Sequence, residues 1–159
     1  MSAPASTFFE DLETGTVVRF GRYEVTREEV IDFASRYDPH DFHLDDAAAA
    51  KTHFGRLAAS GWHTCAMTMR MMVNQMHDKG IASMGGAGVD ELRWLKPVYP
   101  GDVLSVETLL LDKRRSRSRP EMGIIRRQIT TLNQHGEPVM RYVVAAMIAL
   151  RDPSAPFEA

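Results

Sequence analysis

The sequence predicts an α+β domain in which one long helix is buried against a curved antiparallel sheet, and three observations predict it. From about Gly61 to Asp78, apolar residues recur at three-to-four-residue intervals, as along one helix face. VDELRWLKPV, DVLSVETLLLD, MGIIRRQITTLNQ and PVMRYVVAAMIALRD are rich in branched residues and alternate imperfectly, as strands do. The turn-forming YPGD (99–102) and NQHGEP (133–138) mark breaks among them. A long helix followed by a run of strands favours α+β over a parallel α/β fold.

The 159 residues suit one domain, placed at residues 8–152, with 1–7 and 153–159 expected as flexible tails. An apolar content of 44% argues against disorder, and a formal charge of −2 gives no general case for a nucleic-acid partner. Cys65 is the single cysteine, so no internal disulfide is expected. No apolar run reaches membrane-spanning length, and MSAPASTFFEDLETG lacks the regions of a signal peptide, so a cytoplasmic protein without a membrane partner is expected.

Residues 16–25 predict a bent strand or short hairpin with Gly21 at the bend. In TREEVIDFASRYD, Thr26 and Glu29 form a capping-box pattern, and Pro39 predicts a helix end near Tyr37. Asp45 or Asp46 is placed to cap a short helix reaching about Lys51. In the long helix, Trp62, Ala66, Met69, Val73 and Met76 are expected to form the core-facing stripe. GGAGV is expected to end the helical section. It lacks the G-x-G-x-x-G run of a dinucleotide site, but suits close passage of the backbone by a ligand or partner. An antiparallel sheet in a chain this small leaves exposed edges, which pairing of two copies would cover.

DPHDFHLDD (38–46) concentrates ionisable groups where the first helix ends. Pro39 turns the chain, so a loop can aim Asp38 and His43 at one small volume, with a water held between them. Imidazole exchanges protons near neutral pH, but a polar capped loop explains the same spacing. A metal loop is the third reading; the run lacks zinc-ligand spacing and the alternation of a calcium loop. In ASGWH, Ser60 can cap the long helix, while Gly61 and the free N–H groups of the first turn suit an oxygen acquiring negative charge. The basic run KRRSRSRP, with Arg114 and Arg115, is compatible with a solvated turn or with a phosphate-bearing ligand.

These parts together resemble the MaoC-like dehydratase family, which includes the (R)-specific 2-enoyl-CoA hydratases. DPHDFH resembles the family signature D-x-N-P-x-H, with Asp38 and His43 on its catalytic aspartate and histidine. IDFASRYDPHDFHLDDAAAAKTHFG, ASGWH and GVDELRWLKPVYPGD extend the similarity over approximately residues 8–150. The resemblance implies a hotdog fold, commonly dimeric (here a homodimer or a dimer of dimers), with an acyl-CoA substrate and neither metal nor redox cofactor. It implies reversible hydration of a trans-2-enoyl-CoA to a 3-hydroxyacyl-CoA, favouring the (R) product. Asp38 and His43 would handle protons, the Gly61 N–H would stabilise the thioester oxygen, and Ser60, Arg114 and Arg115 would contact substrate. His40-Asp41 replaces the usual Asn-Pro, and Ser60 stands where a histidine is common. Hotdog thioesterases and a noncatalytic acyl-CoA-binding or structural dimer are the alternatives.

Overall fold

The computed structural model describes residues 4–156. In chain order these form β1 (Val17–Glu24), α1 (Arg27–Tyr37), α2 (Asp46–Ala49), α3 (Gly61–Asp78), β2 (Ser83–Trp94), β3 (Val103–Arg115), β4 (Met122–Leu132) and β5 (Pro138–Ala149). Short 3-10 turns occupy Phe9–Asp11 and Asp41–His43. The strands form one antiparallel sheet in the order β1-β3-β4-β5-β2.

The period-two alternation is plain on β3, where Leu104, Val106, Thr108 and Leu110 are buried and the residues between them are half-buried. The inward positions meet α3: Met67 and Met71 join Val106, Ile129 and Met140 in the main core. Fully burying each such aliphatic side chain contributes roughly 1.5–3 kcal/mol. A second cluster (Phe9, Leu110, Ile125, Ile148, Leu150) lies towards the other end of the sheet. Gly21 bends β1 as expected: its φ is +83° and the register with β3 slips between Phe20 and Tyr23. A Cβ there would lie 2.7 Å from Met71 Sδ, so both conformation and space require glycine.

Several expectations are corrected. Thr26 caps α1 by accepting from the Glu29 N–H (3.3 Å), but the Glu29 carboxylate accepts from the Tyr23 hydroxyl at 2.8 and 2.9 Å instead of completing the box. Helix α2 stops at Ala49, with Asp45 as its cap. GGAGV does not separate helix from sheet; it lies inside β2, whose irregular register with β5 absorbs the glycines. Lys113, Arg114 and Arg115 belong to β3, not to a turn.

The largest correction concerns α3. Its buried side is His63, Thr64, Met67, Thr68, Met71 and Met72. Of the expected stripe, Trp62 and Met69 are 57% and 51% exposed and Ala66 is exposed, while Val73 is half-buried and Met76 packs against the core. The hydroxyls hid this face: Thr68 donates to the Thr64 carbonyl (2.8 Å) and shares a hydrogen bond with Thr131 (2.7 Å), so burial leaves no polar group unmatched there.

Of the expected tails, the Ser6 and Thr7 N–H groups donate to the Gly80 carbonyl at 2.8 and 3.0 Å. The carbonyls of Pro153, Ala155 and Pro156 receive the Arg115 guanidinium. Residues 1–3 and 157–159 lie outside the described residues.

Candidate active site

Helix α1 ends because Pro39 cannot continue it. Asp38 becomes its C-cap, with its N–H bonded to the Ala34 carbonyl (3.0 Å) and an extended φ of −151°. The chain then closes the Asp41–His43 turn, His43 donating its N–H to the His40 carbonyl at 2.8 Å. This fold-back brings His43 beside Asp38, with Nε2 3.4 Å from Asp38 Oδ2. His43 is 5% exposed, and its Nδ1 lies 2.7 Å from the Ala58 carbonyl. A carbonyl only accepts, so Nδ1 donates its proton there and Nε2 is the ring nitrogen that faces the carboxylate.

Ser60 links this pair to α3. Its hydroxyl donates to Asp38 Oδ2 at 2.7 Å, and Ser60 Oγ accepts from the Trp62 N–H at 3.3 Å, capping the helix. His40, at the position of the usual asparagine, places Nδ1 against Asp38 Oδ1. Burial pushes the Asp38 carboxyl upward, but the Ser60 hydroxyl, His40 and the neighbouring His43 outweigh it and hold it below the usual range. Asp38 is therefore ionised at neutral pH.

Gly61 is the first residue of α3, and no protein acceptor among the described residues takes its N–H. Its missing side chain has a second cause that spacing did not show. The Trp94 indole lies against the helix start and donates Nε1–H to the Gly61 carbonyl (2.9 Å). A Cβ on Gly61 would fall 2.4 Å from that ring. Phe42 and Phe54 pack on His43 with ring centroids at 4.6 and 5.8 Å, an apolar wall that sequence reasoning also missed. The Tyr99 hydroxyl holds that wall by donating to the Phe54 carbonyl (2.8 Å).

Arg114 and Arg115 stand elsewhere in the chain. Arg115 pairs through Gly123 and Ile148 to Ser83, and Arg114 through Ile124 and Met147 to Gly85, whereas Trp94 pairs through Met140 and Thr131 to Val106. The nine residue-to-residue steps from Val106 to Arg115 span about 30 Å. Of the metal donors that DPHDFHLDD offers, Asp45 caps α2, Asp46 pairs with Arg27, and His40 and His43 face Asp38 and Ala58, while Asp41 is exposed. Among the described residues no group of three His, Cys, Asp or Glu side chains is placed to hold a metal ion.

His63, two residues beyond Gly61, is buried and stacked on Phe33 (4.7 Å, 9°), with Nδ1 unpartnered. Burial pushes its pKa down, partly opposed by Glu29. The unfolded chain therefore takes up a proton first as pH falls below about 6.5, and stability is lost from there down towards the folded pKa. Urea midpoints of His63→Phe should change less between pH 7 and 5 than those of the parent; parallel profiles would remove this role.

A long helix cradled by a five-stranded antiparallel sheet, with a carboxylate and an imidazole brought together at the helix start, defines a hotdog-fold protein. The sequence profile described as "MaoC like domain" matches residues 10–131. The chain belongs to the MaoC-like dehydratase family. The crystal structure of the MaoC-like dehydratase from Rhodospirillum rubrum is 42% identical, superposes with a TM-score of 0.84, and the match covers 92% of this chain and 99% of that one. The uncharacterized protein YdeM of Bacillus subtilis is 27% identical over 139 residues, 87% of this chain and 96% of its own. The mesaconyl-CoA hydratase of Cereibacter sphaeroides is 37% identical over 79 residues, half of this chain but 23% of that protein. Membership supports hydro-lyase activity in general. No helix among the described residues is long and apolar enough to cross a membrane.

Proposed function

We propose that this protein reversibly hydrates a trans-2-enoyl-CoA to a 3-hydroxyacyl-CoA, with the (R) alcohol as product. The observation that carries the reading is the pair itself: an ionised Asp38 and the Nε2 of His43, 3.4 Å apart, with the opposite ring nitrogen tied to Ala58. That separation is too long for a strong direct hydrogen bond and suits two acceptors converging on one water.

In the hydration direction the water oxygen bonds to C3 while the pair takes one of its protons. The alkene electrons move through C2 to the thioester oxygen, where the Gly61 N–H meets the developing charge. The enolate then collapses as C2 takes a proton from the pair, so one water is added and nothing else is consumed. Ser60 orients Asp38 throughout by its 2.7 Å hydrogen bond. The direct test is loss of the conjugated alkene from an enoyl-CoA without release of free thiol. Thiol release would mean hydrolysis, and binding without either product would mean a noncatalytic acyl-CoA protein.

We further propose that the working unit is a homodimer. Strand β2 is an edge strand exposed along almost its whole length, and Val89, Trp94 and Leu95 are 55%, 46% and 47% exposed. Trp62 packs edge-on against Trp94 at 5.1 Å, joining this edge to the exposed α3 stripe in one apolar surface. Antiparallel pairing of two β2 edges would turn a second subunit's far sheet end towards the first subunit's site. Arg114 meets a coenzyme A phosphate only by that route in this reading, while Arg115 holds the carbonyls of the C-terminal segment. Sedimentation should give twice the chain mass for the parent and a monomer for Met69→Glu combined with Val89→Lys. A monomeric parent with full activity would contradict the proposal.

A further inference from the structure

Strand β4 carries a cation on its inward face. Arg127 lies two positions from Ile125 on one side and Ile129 on the other, so all three point towards the core. Its cross-strand neighbours are Leu110 and Val144, both apolar. Leu110 and Ile125 belong to one core cluster, and Ile129 and Val144 to the other, so the guanidinium stands between the two. Among the described residues no hydrogen bond or ion pair reaches its side chain, and its pKa is lowered by burial. Arg127 is half-buried, so its charge is partly withdrawn from water without a protein counter-ion and remains open to an anion from solution.

The guanidinium borders a cavity of about 360 Å³ between the C-terminal half of α3 and the β1–β3 side of the sheet. Met72, Met76 and Leu110 supply apolar wall, and Thr108 and Gln75 supply polar atoms. Asp11 and Glu13 also border it, but Asp11 is engaged by Arg151 and the Phe8 N–H (2.8 Å), and Glu13 makes no ion pair with Arg127. The cavity does not include Asp38, His43, Ser60 or Gly61.

We propose that this cavity binds an aliphatic carboxylate, its head group paired with Arg127 and its chain against Met72, Met76 and Leu110. A planar carboxylate takes two parallel N–H bonds from a guanidinium, which a neutral head group cannot do. The site takes either a free acid or the carboxylated far end of an acyl group; the second source rests on the hydratase reading, the first does not.

The probes are hexanoate, adipate, hexanol and inorganic phosphate, each followed by thermal shift on the parent, Arg127→Met and Arg127→Lys. At ten times its dissociation constant, hexanoate or adipate should raise the parent Tm by about 3–6 °C, and hexanol should not. R127M should lose the shift while melting no lower than the ligand-free parent, because it removes an uncompensated charge. R127K should retain a shift at roughly tenfold weaker affinity, which keeps the test decisive if R127M does not fold. If the acyl group is the source, R127M should raise KM at least tenfold for a carboxyl-terminated enoyl-CoA and leave a methyl-terminated one unchanged. Equal shifts with hexanol, or with phosphate alone, would overturn the assignment of an aliphatic carboxylate. So would the absence of any Arg127-dependent response in both arms.

Discussion

His43→Ala should lower kcat on an enoyl thioester by roughly 10²–10⁴-fold, with KM little changed. The imidazole is held by the Ala58 carbonyl at 2.7 Å and by Phe42 and Phe54, and it directs Nε2 towards Asp38. Water at neutral pH is a poor replacement for a positioned group that both takes and returns a proton. Asp38→Asn should fall by a similar factor for a different reason. The amide can still accept from Ser60, so the loop stays in place, but it cannot hold or exchange a proton at the reacting atoms. The double variant should lose little more than either single one, because the two groups act as one unit. Near-parental turnover in both folded single variants would remove the pair from the chemistry. Strictly multiplicative losses would mean the residues act independently.

Gly61→Ala should destabilise the protein by about 1–3 kcal/mol through overpacking. The sign is informative, because alanine in place of glycine within a helix ordinarily stabilises by up to about 1 kcal/mol. Here the added Cβ would meet the Trp94 ring at 2.4 Å, and relief requires moving either the indole or the start of α3. The indole also bonds the Gly61 carbonyl, so its displacement opens that hydrogen bond and shifts the N–H proposed to face the thioester oxygen. Tm should fall by about 2–4 °C per kcal/mol, and kcat should drop with it. Repeating the substitution in Trp94→Ala separates the causes: the stability cost should largely disappear, since the clash is gone. An equal cost in both backgrounds would show that Trp94 is not the obstacle.

Much of this architecture is legible in the amino-acid sequence, and what is not legible there has physical causes. Thr26, Pro39 and Ser60 state their helix boundaries through local chemistry, a cap at each start and a missing N–H at the stop. The outer pair of DPHDFH predicted the meeting of Asp38 and His43, because one proline and one short turn carry the chain between them. The buried face of α3 was not legible. Methionines occur on both sides of that helix, so the apolar period admits two solutions, and the side that is buried carries Thr64, Thr68 and His63. Their cost is visible only once Thr131 is found opposite Thr68. The Ala58 carbonyl and Trp94 were invisible for a related reason: their roles depend on backbone direction and strand register, which no side-chain pattern records. The exposed stripe that resulted became the surface on which a second copy is proposed to sit.

The measurement that bears most directly on the proposed chemistry is mass-resolved incubation of the purified protein with short, medium and branched 2-enoyl-CoAs. Asp38→Asn would be run beside the parent. At least one substrate should gain the mass of a single water with its thioester intact, and the same product should be absent or strongly reduced with the variant. Intact substrates across the panel, release of free coenzyme A, or equal hydration by Asp38→Asn would each contradict hydration at the Asp38–His43 pair.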